Sequence, residues 1–371
     1  MPGTNYLQEE PALVEDRIRV DPEKLTRFSA SALERLGVPR EDALITARML
    51  VACDLRGVES HGVAHLRMFY ARRIQRGLVN LNARPQIISR LPSTAVMDGD
   101  NGFGFVIGYH AMNEAIKRAN ETGAGFVAVR NSTHFGAGAY YAMMALPHDM
   151  IGIAMTNAVP TVVAPGSAVP SLGTNPLAVA VPAGRRPPFV LDMATSAVAG
   201  GKIEIAARSG SMTIPEGWMV DGEGKPVTDI TKRTRGAGGL LPLGGAPRTG
   251  GFKGFGLGLL VDILCGVLSG AKASILREEA PEARGNAGDH FFGALRIDSF
   301  LPVADFKEAM DAMIDALEAL PTVPGVDKVS IPGIYEAGIV EDRQTNGVPL
   351  DPQVVGDLKL LAEELGMEYD L

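Results

Sequence analysis

Four short apolar runs in the middle of the chain, 124–130, 151–156, 177–181 and 189–191, constrain the fold more than any other feature. They carry β-branched residues and are bounded by Gly, Pro or Asn, so each reads as a buried strand. Helical periodicity surrounds them. One helix is predicted over 108–121, another over 137–146, and a third helical stretch over 256–269. At the N-terminal end, Asp21-Pro22 forms an N-cap and first-turn pair, followed by Leu25, Phe28, Ala32 and Leu36, with Gly37 placed to end the helix. A second helix runs from near Pro39 to about Leu55. Near the other end, Phe306, Met310, Met313, Leu317 and Leu320 make one apolar stripe. Val354, Leu358, Leu361 and Leu365 make another after Asp351-Pro352. Both stripes read as core packing between helices. The order is helices, mixed α/β, then helices.

Composition removes several classes. The 371 residues are 46% hydrophobic and 21% charged, enough to bury a sizeable core. The net charge of −8 comes without a basic block, so no nucleic-acid partner is expected. Residues 1–19 lack the basic and apolar regions of a signal peptide. The most apolar stretch, 255–268, contains Asp262 and is too short for a membrane span, so no membrane partner is expected. Two cysteines, Cys53 and Cys265, without a CxxC pair exclude a disulfide framework and fit the reducing cytoplasm. The 44 glycines are nearly twice the usual share of roughly 7%. Many fall in 209–251, a long irregular stretch of the kind that serves a site.

The glycine pattern also argues against one nucleotide fold. Gly123-Ala-Gly125-Phe-Val-Ala128 resembles a dinucleotide fingerprint, but it follows a helix and opens a strand. A Rossmann fingerprint does the reverse. Two histidines stand out among six. His61 lies in 56–63 beside Ser60, just past a helix end, and His134 lies in 130–138, just past a strand end. Small neighbours leave such a ring open to ligand and able to titrate near neutral pH. The alternative is a surface or capping histidine. No HExxH or carboxylate–histidine cluster occurs, so no metal site is expected. Asp192 ends a strand and suits a ligand-facing loop or an N-cap. The segment 241–258, with Arg248 and Lys253, opens a helix and offers an anion site.

Together these segments resemble the type-2 malate/L-lactate dehydrogenase family, also called sulfolactate-dehydrogenase-like. The match is carried by Ser60-His61-Gly62-Val63, 130–136, 173–178, 192–196 with Gly201-Lys202, 214–218, Asp229, 251–256 running into 261–270, Pro332-Gly333 and Arg343. The resemblance implies an oxidoreductase that uses NAD or NADP to interconvert a small 2-hydroxy acid and its 2-oxo acid. It also implies a non-Rossmann, mixed α/β fold with a largely antiparallel central sheet, a helical domain formed by both chain ends (1–75 with 300–371), a mixed α/β region over 76–299 that holds cofactor and substrate, a cytoplasmic location and a homodimer. By the same resemblance His61, with Ser60 beside it, is the proton donor, and His134 is a proton acceptor near the nicotinamide. Asp192, Met193, Ala194, Thr195, Lys202, Phe252, Lys253 and Gly333 fall on cofactor segments, together with Phe135 and Gly136. The substrate-side candidates are Arg56, His65, Arg67, Thr156, Asn157, Thr174 and Asn175. His65 stands where many members carry the arginine that grips the substrate carboxylate, which leaves Arg67 or Arg56 for that task. A cyclic 2-imino acid reductase, a ureidoglycolate or sulfolactate dehydrogenase, and a non-redox lyase or binding protein are the alternatives.

Overall fold

A computed structural model describes residues 17–203, 213–232, 237–277 and 287–371. Parts of the irregular stretch 209–251, and the start of the chain, lie outside the described residues. The centre is a seven-stranded sheet of β2 (Gln86–Leu91), β3 (Thr94–Asp98), β4 (Ala124–Thr133), β12 (Ala287–Arg296), β5 (Met150–Thr156), β8 (Leu177–Val181) and β9 (Phe189–Met193), in that spatial order. Only β3 and β4 run parallel; the other neighbours are antiparallel. The four strands read from sequence are all present. The sequence reading missed β2, β3 and, most consequentially, β12, which holds the middle of the sheet.

Helix α4 (Gly104–Thr122) lies against β4 and β12, and the short α5 (Gly138–Met143) against β5 and β8. Helices α1 (Pro22–Arg35) and α2 (Arg40–Leu55) pack on each other. The Asp21 carboxylate accepts the Lys24 amide at 2.8 Å, as an N-cap should. A four-residue helix, α3 (Arg72–Gln75), comes later in the chain. The chain ends meet. Strand β1 (Ile18–Val20) pairs antiparallel with β13 (Val348–Leu350), and α9 (Pro352–Leu365) reaches back to α1. One continuous core runs from Leu25, Phe28 and Leu50 through Phe105 and Phe292 to Leu358 and Leu361. The helices of both ends thus share their core with the sheet. Helix α7 (Val303–Glu318) is tied to the sheet side by Asp311, which accepts the amides of Gly184, Arg185 and Arg186.

A second small core around Met219, Val227 and Leu240, with Trp218 against it, supports a four-stranded sheet of β10 (Met219–Val220), β11 (Gly239–Leu240), β6 (Val162–Val163) and β7 (Pro170–Leu172). The stretch read as irregular is thus partly ordered, by strands too short to leave a pattern in sequence. Helix α6 (Gly251–Asp262) begins five residues earlier than expected and passes into π-helix over Ile263–Val267. Helix α8 (Ile334–Asn346) starts at Gly333. No helix among the described residues is long and apolar enough to cross a membrane.

Candidate active site

His61 sits on two 3-10 turns, Glu59–His61 and Val63–His65, between α2 and the π-helical Leu66–Ala71. The turns are held by side chains. The buried Asp54 carboxyl accepts the Val63 amide at 2.8 Å. A Cβ on Gly62 would lie 1.9 Å from Asp54 Oδ1, so any larger residue there must displace that carboxyl. Glu59 pairs with Arg343 at 2.8 Å and with Arg17 at 2.9 Å. Burial, with Glu59 adding to it, pushes Asp54 up to about 8, so it holds its proton at neutral pH. His61 Nδ1 lies 2.9 Å from Ser60 Oγ, and burial shifts the ring below the usual histidine range.

His134 follows the last residue of β4 and is held from the backbone. The N-terminus of α4 presses on it so closely that a Cβ at Gly104 would meet Thr133 O at 2.2 Å and His134 O at 2.4 Å. The Gly104 amide donates to Thr133 Oγ1 at 2.8 Å. The imidazoles of His61 and His134 are nearly parallel, 13° apart with centroids at 6.0 Å. His65 stacks beside His61 at 6.4 Å, and Phe69 turns its edge to His134 at 5.1 Å. Burial, then the charges of His61, His65 and Arg73, holds His134 well below the usual histidine range. The Arg73 guanidinium lies 3.4 Å over the Phe69 ring, and its buried Nε has no partner.

Below these rings, Phe135 is sandwiched between His290 at 4.7 Å and Tyr141 at 4.8 Å. His290 is fully buried. Its Nδ1 meets Thr156 Oγ1 at 2.8 Å and its Nε2 meets Ser132 Oγ at 3.0 Å. Burial and the nearby Arg277 push it down to about 3. Asn157 bonds Asp262, Arg277 and the Asp289 amide. Asn175 accepts the Ala158 amide at 3.0 Å and donates to Gly258 O at 2.8 Å.

On the other flank, Asp192 on β9 is exposed, and the burial of its carboxyl group raises it to about 6 against the pull of the Ala139 amide and Arg56. Its Oδ2 accepts the Ala139 amide at the start of α5, 2.7 Å away. Asp192 thus lies inside β9 rather than in a loop, and the helix whose amide it accepts comes earlier in the chain instead of following it as an N-cap would require. Met193 pairs with Leu177 across the sheet, Ala194 follows it, and Thr195 bonds the Thr174 and Asn175 carbonyls. Pro332 O accepts the Val190 amide, which sets Gly333 beside β9. A Cβ on Gly201 would touch Ser60 Cβ at 3.1 Å, placing the Gly201-Lys202 segment against the His61 turn.

Ser60, His61, His65, His134, Phe135 and Gly136 are thus clustered, with the 201–202 segment against the Ser60 turn and Asp192 tied to the start of α5 close by; the space between these groups is the candidate cleft. Phe252 and Lys253 are not joined to it by contacts among the described residues; they stand exposed at the start of α6. Four substrate-side expectations need correction. Arg67 is no free clamp, because its guanidinium bonds Asp357 at 2.7 Å and Glu364 at 2.6 Å on α9. Thr156, Asn157 and Asn175 are buried, with their polar atoms spent on the protein, so they build the floor. Tyr70, Arg73 and Asp54 are not singled out by the sequence, and His290 is passed over among its six histidines. The Phe69-Tyr70 pair followed by Arg73 was the available signal.

The family description malate/L-lactate dehydrogenase matches residues 20–359. The chain is 44% identical over 355 residues to a malate dehydrogenase of Pyrococcus horikoshii, covering 95% of this chain and 97% of that one. It is 37% identical over 350 residues to an L-sulfolactate dehydrogenase of Methanocaldococcus jannaschii, covering 94% and 98%. The crystal structure of malate dehydrogenase from Entamoeba histolytica superposes with a TM-score of 0.91 at 33% identity, covering 96% of this chain and 100% of that one.

Proposed function

Because the chain belongs to the malate/L-lactate dehydrogenase family, we propose that the cleft around His61 and His134 is where it works on its substrate. The protein is an NAD(P)-dependent oxidoreductase that interconverts a small 2-hydroxy acid and its 2-oxo acid. What carries the assignment of the site is the parallel imidazole pair at 6.0 Å, walled by aromatic rings and flanked by partnerless guanidinium nitrogens.

The bound nicotinamide carries the hydride to or from C2 of the acid. The residues present fit such a cofactor. Arg56 Nε is buried without a partner beside the cleft-facing Asp192, and Lys202 lies next to the Ser60 turn. The 12-residue α6 has no side-chain cap at its N-terminus and carries Lys253 there, which suits a phosphate. His61 gives a proton to the oxygen on C2 in reduction and takes it back in oxidation, work of a kind worth roughly 10²–10⁴-fold. Arg73, beside His134 and free at Nε, supplies the cation for the substrate carboxylate that Arg67 does not.

The fold is non-Rossmann on this reading, supported by a sheet whose only parallel pair is β3–β4. The assembly is a homodimer. Its support is the outward face of α6 and the π-turn after it, where Leu259, Leu260, Ile263, Val267 and Leu268 are exposed in one stretch. A monomer in light scattering would overturn that part. The two cysteines are buried thiols, as a cytoplasmic protein would keep them.

The test is oxidation of NADH and NADPH, followed by absorbance, with oxaloacetate, pyruvate, 3-sulfopyruvate, 2-oxoglutarate and Δ1-piperideine-2-carboxylate. Turnover with one of the 2-oxo acids is expected. Turnover confined to the cyclic imine would transfer the same proton to nitrogen and favour the reductase alternative. No turnover, with a melting temperature unmoved by either cofactor, would overturn the reading.

A further inference from the structure

The two histidines differ in what holds Nδ1, and the difference assigns them different work. His134 Nδ1 receives the Tyr70 hydroxyl at 2.9 Å and the Gly136 backbone amide at 3.3 Å. A backbone N–H can only donate, so Nδ1 must be an acceptor and cannot carry a proton. The ring's one proton then resides on Nε2, which has no hydrogen-bond partner among the described residues. We propose that Tyr70 and the Gly136 amide lock His134 as the neutral Nε2–H tautomer, a standing hydrogen-bond donor to the substrate's C2 oxygen that does not itself exchange a proton.

His61 lacks such a lock. Its Nδ1 faces the Ser60 hydroxyl, which turns to donate or to accept. That ring can therefore hold one proton or two without breaking its bond to Ser60. Proton exchange falls to His61, and His134 steadies the oxygen on which charge develops. The groups facing His134 agree with this. His61, His65, Arg73 and His290 all disfavour a second positive charge there, and burial keeps the Tyr70 phenol protonated, so it always has a hydrogen to give. Tyr70 is a positioning residue, acting through the ring it fixes.

The inference rests on the cleft being the reaction centre, and its test separates the two. In full-length protein labelled with ¹⁵N-histidine, with and without NADH, the His134 resonances (assigned by their loss in His134→Gln) should report pyrrole-type Nε2 and pyridine-type Nδ1 from pH 6 to 9. An Nδ1–H form, or a ring that takes a second proton near pH 6.5, would overturn the lock whether or not the protein turns over. On the acid identified by the panel, His134→Gln retains an amide donor near the Nε2 position but no proton to exchange. It should keep kcat within about tenfold and preserve the wild-type pH profile. His134→Ala should lose about 100-fold, the cost of removing one such donor. Glutamine as inactive as alanine would return the acid–base role to His134.

Discussion

His61 and His134 face each other across 6.0 Å, yet their two walls are built from different materials. The His61 wall is two 3-10 turns and a π-helical stretch, fastened by side chains from elsewhere: the Asp54 carboxyl, and Glu59 between Arg343 and Arg17. The His134 wall is a strand end fastened mainly by main chain, with α4 seated on its carbonyls and the Gly136 amide on its ring, where the Tyr70 hydroxyl also reaches it from the first wall. A side-chain fastening can change protonation or rotate. A main-chain fastening can do neither. The residue proposed to gain and lose a proton is on the first wall.

The largest effect expected from that contrast is on turnover. His61→Ala should lower kcat by roughly 10²–10⁴-fold while the protein still binds cofactor, as read by cofactor fluorescence. Near-normal turnover would break the comparison outright. Next come the glycines. At Gly104 the obstacle to a methyl group is backbone, so Gly104→Ala should cost about 3 kcal/mol and lower the melting temperature sharply. At Gly62 the obstacle is the Asp54 side chain, which can rotate away. Gly62→Ala should therefore cost less stability than Gly104→Ala but more activity. The reverse order in calorimetry would contradict the description of the walls.

A third contrast is in pH. Asp54 is raised to about 8 in the fold, from 3.8. The unfolded chain therefore releases that proton first, and stability falls as pH rises from about 4 to about 8. His290, beneath the other wall, is lowered to about 3 from 6.5. There the unfolded chain takes up the proton first, and stability falls as pH drops from about 6.5 towards 3. Asp54→Asn should flatten the alkaline limb of a melting-temperature profile by roughly 3–5 °C and leave the acid limb unchanged. If both limbs move together, the two walls are not independent. The smallest effect belongs to a residue on neither wall. Lys253→Ala should raise the cofactor KM by about fivefold with kcat unchanged, as befits one exposed cation.

Local chemistry was legible in the sequence. Asp21-Pro22 and Asp351-Pro352 announce helix starts that the structure contains, and both aspartates accept first-turn amides. Ser60-His61 and His134 stand out by their small neighbours. What escaped depends on partners far along the chain. Strand β12 contains Gly288, Asp289, His290 and Gly293, a poor strand by composition. Its polar side chains are satisfied only because Thr156, Ser132, Asn157 and Arg277 come to meet them. Arg67 looked available because Asp357 and Glu364 lie about 290 residues away. Tyr70 reaches His134 through a π-helical turn whose spacing no simple periodicity describes.

Helix α8 touches both sides of the cleft. At its first turn Glu336 accepts the Gly333 amide beside β9, where Asp192 faces the cleft. Near its far end Arg343 holds Glu59 and the Asp54 carbonyl, next to His61. Thirteen residues of α-helix make a rod about 20 Å long. A rod does not stretch, so it acts as a strut of fixed length between β9 and the turn that carries His61. Should the cleft gape as molecules enter and leave, the two rims must pivot about the ends of that strut, and the spacing it sets is restored each time they close.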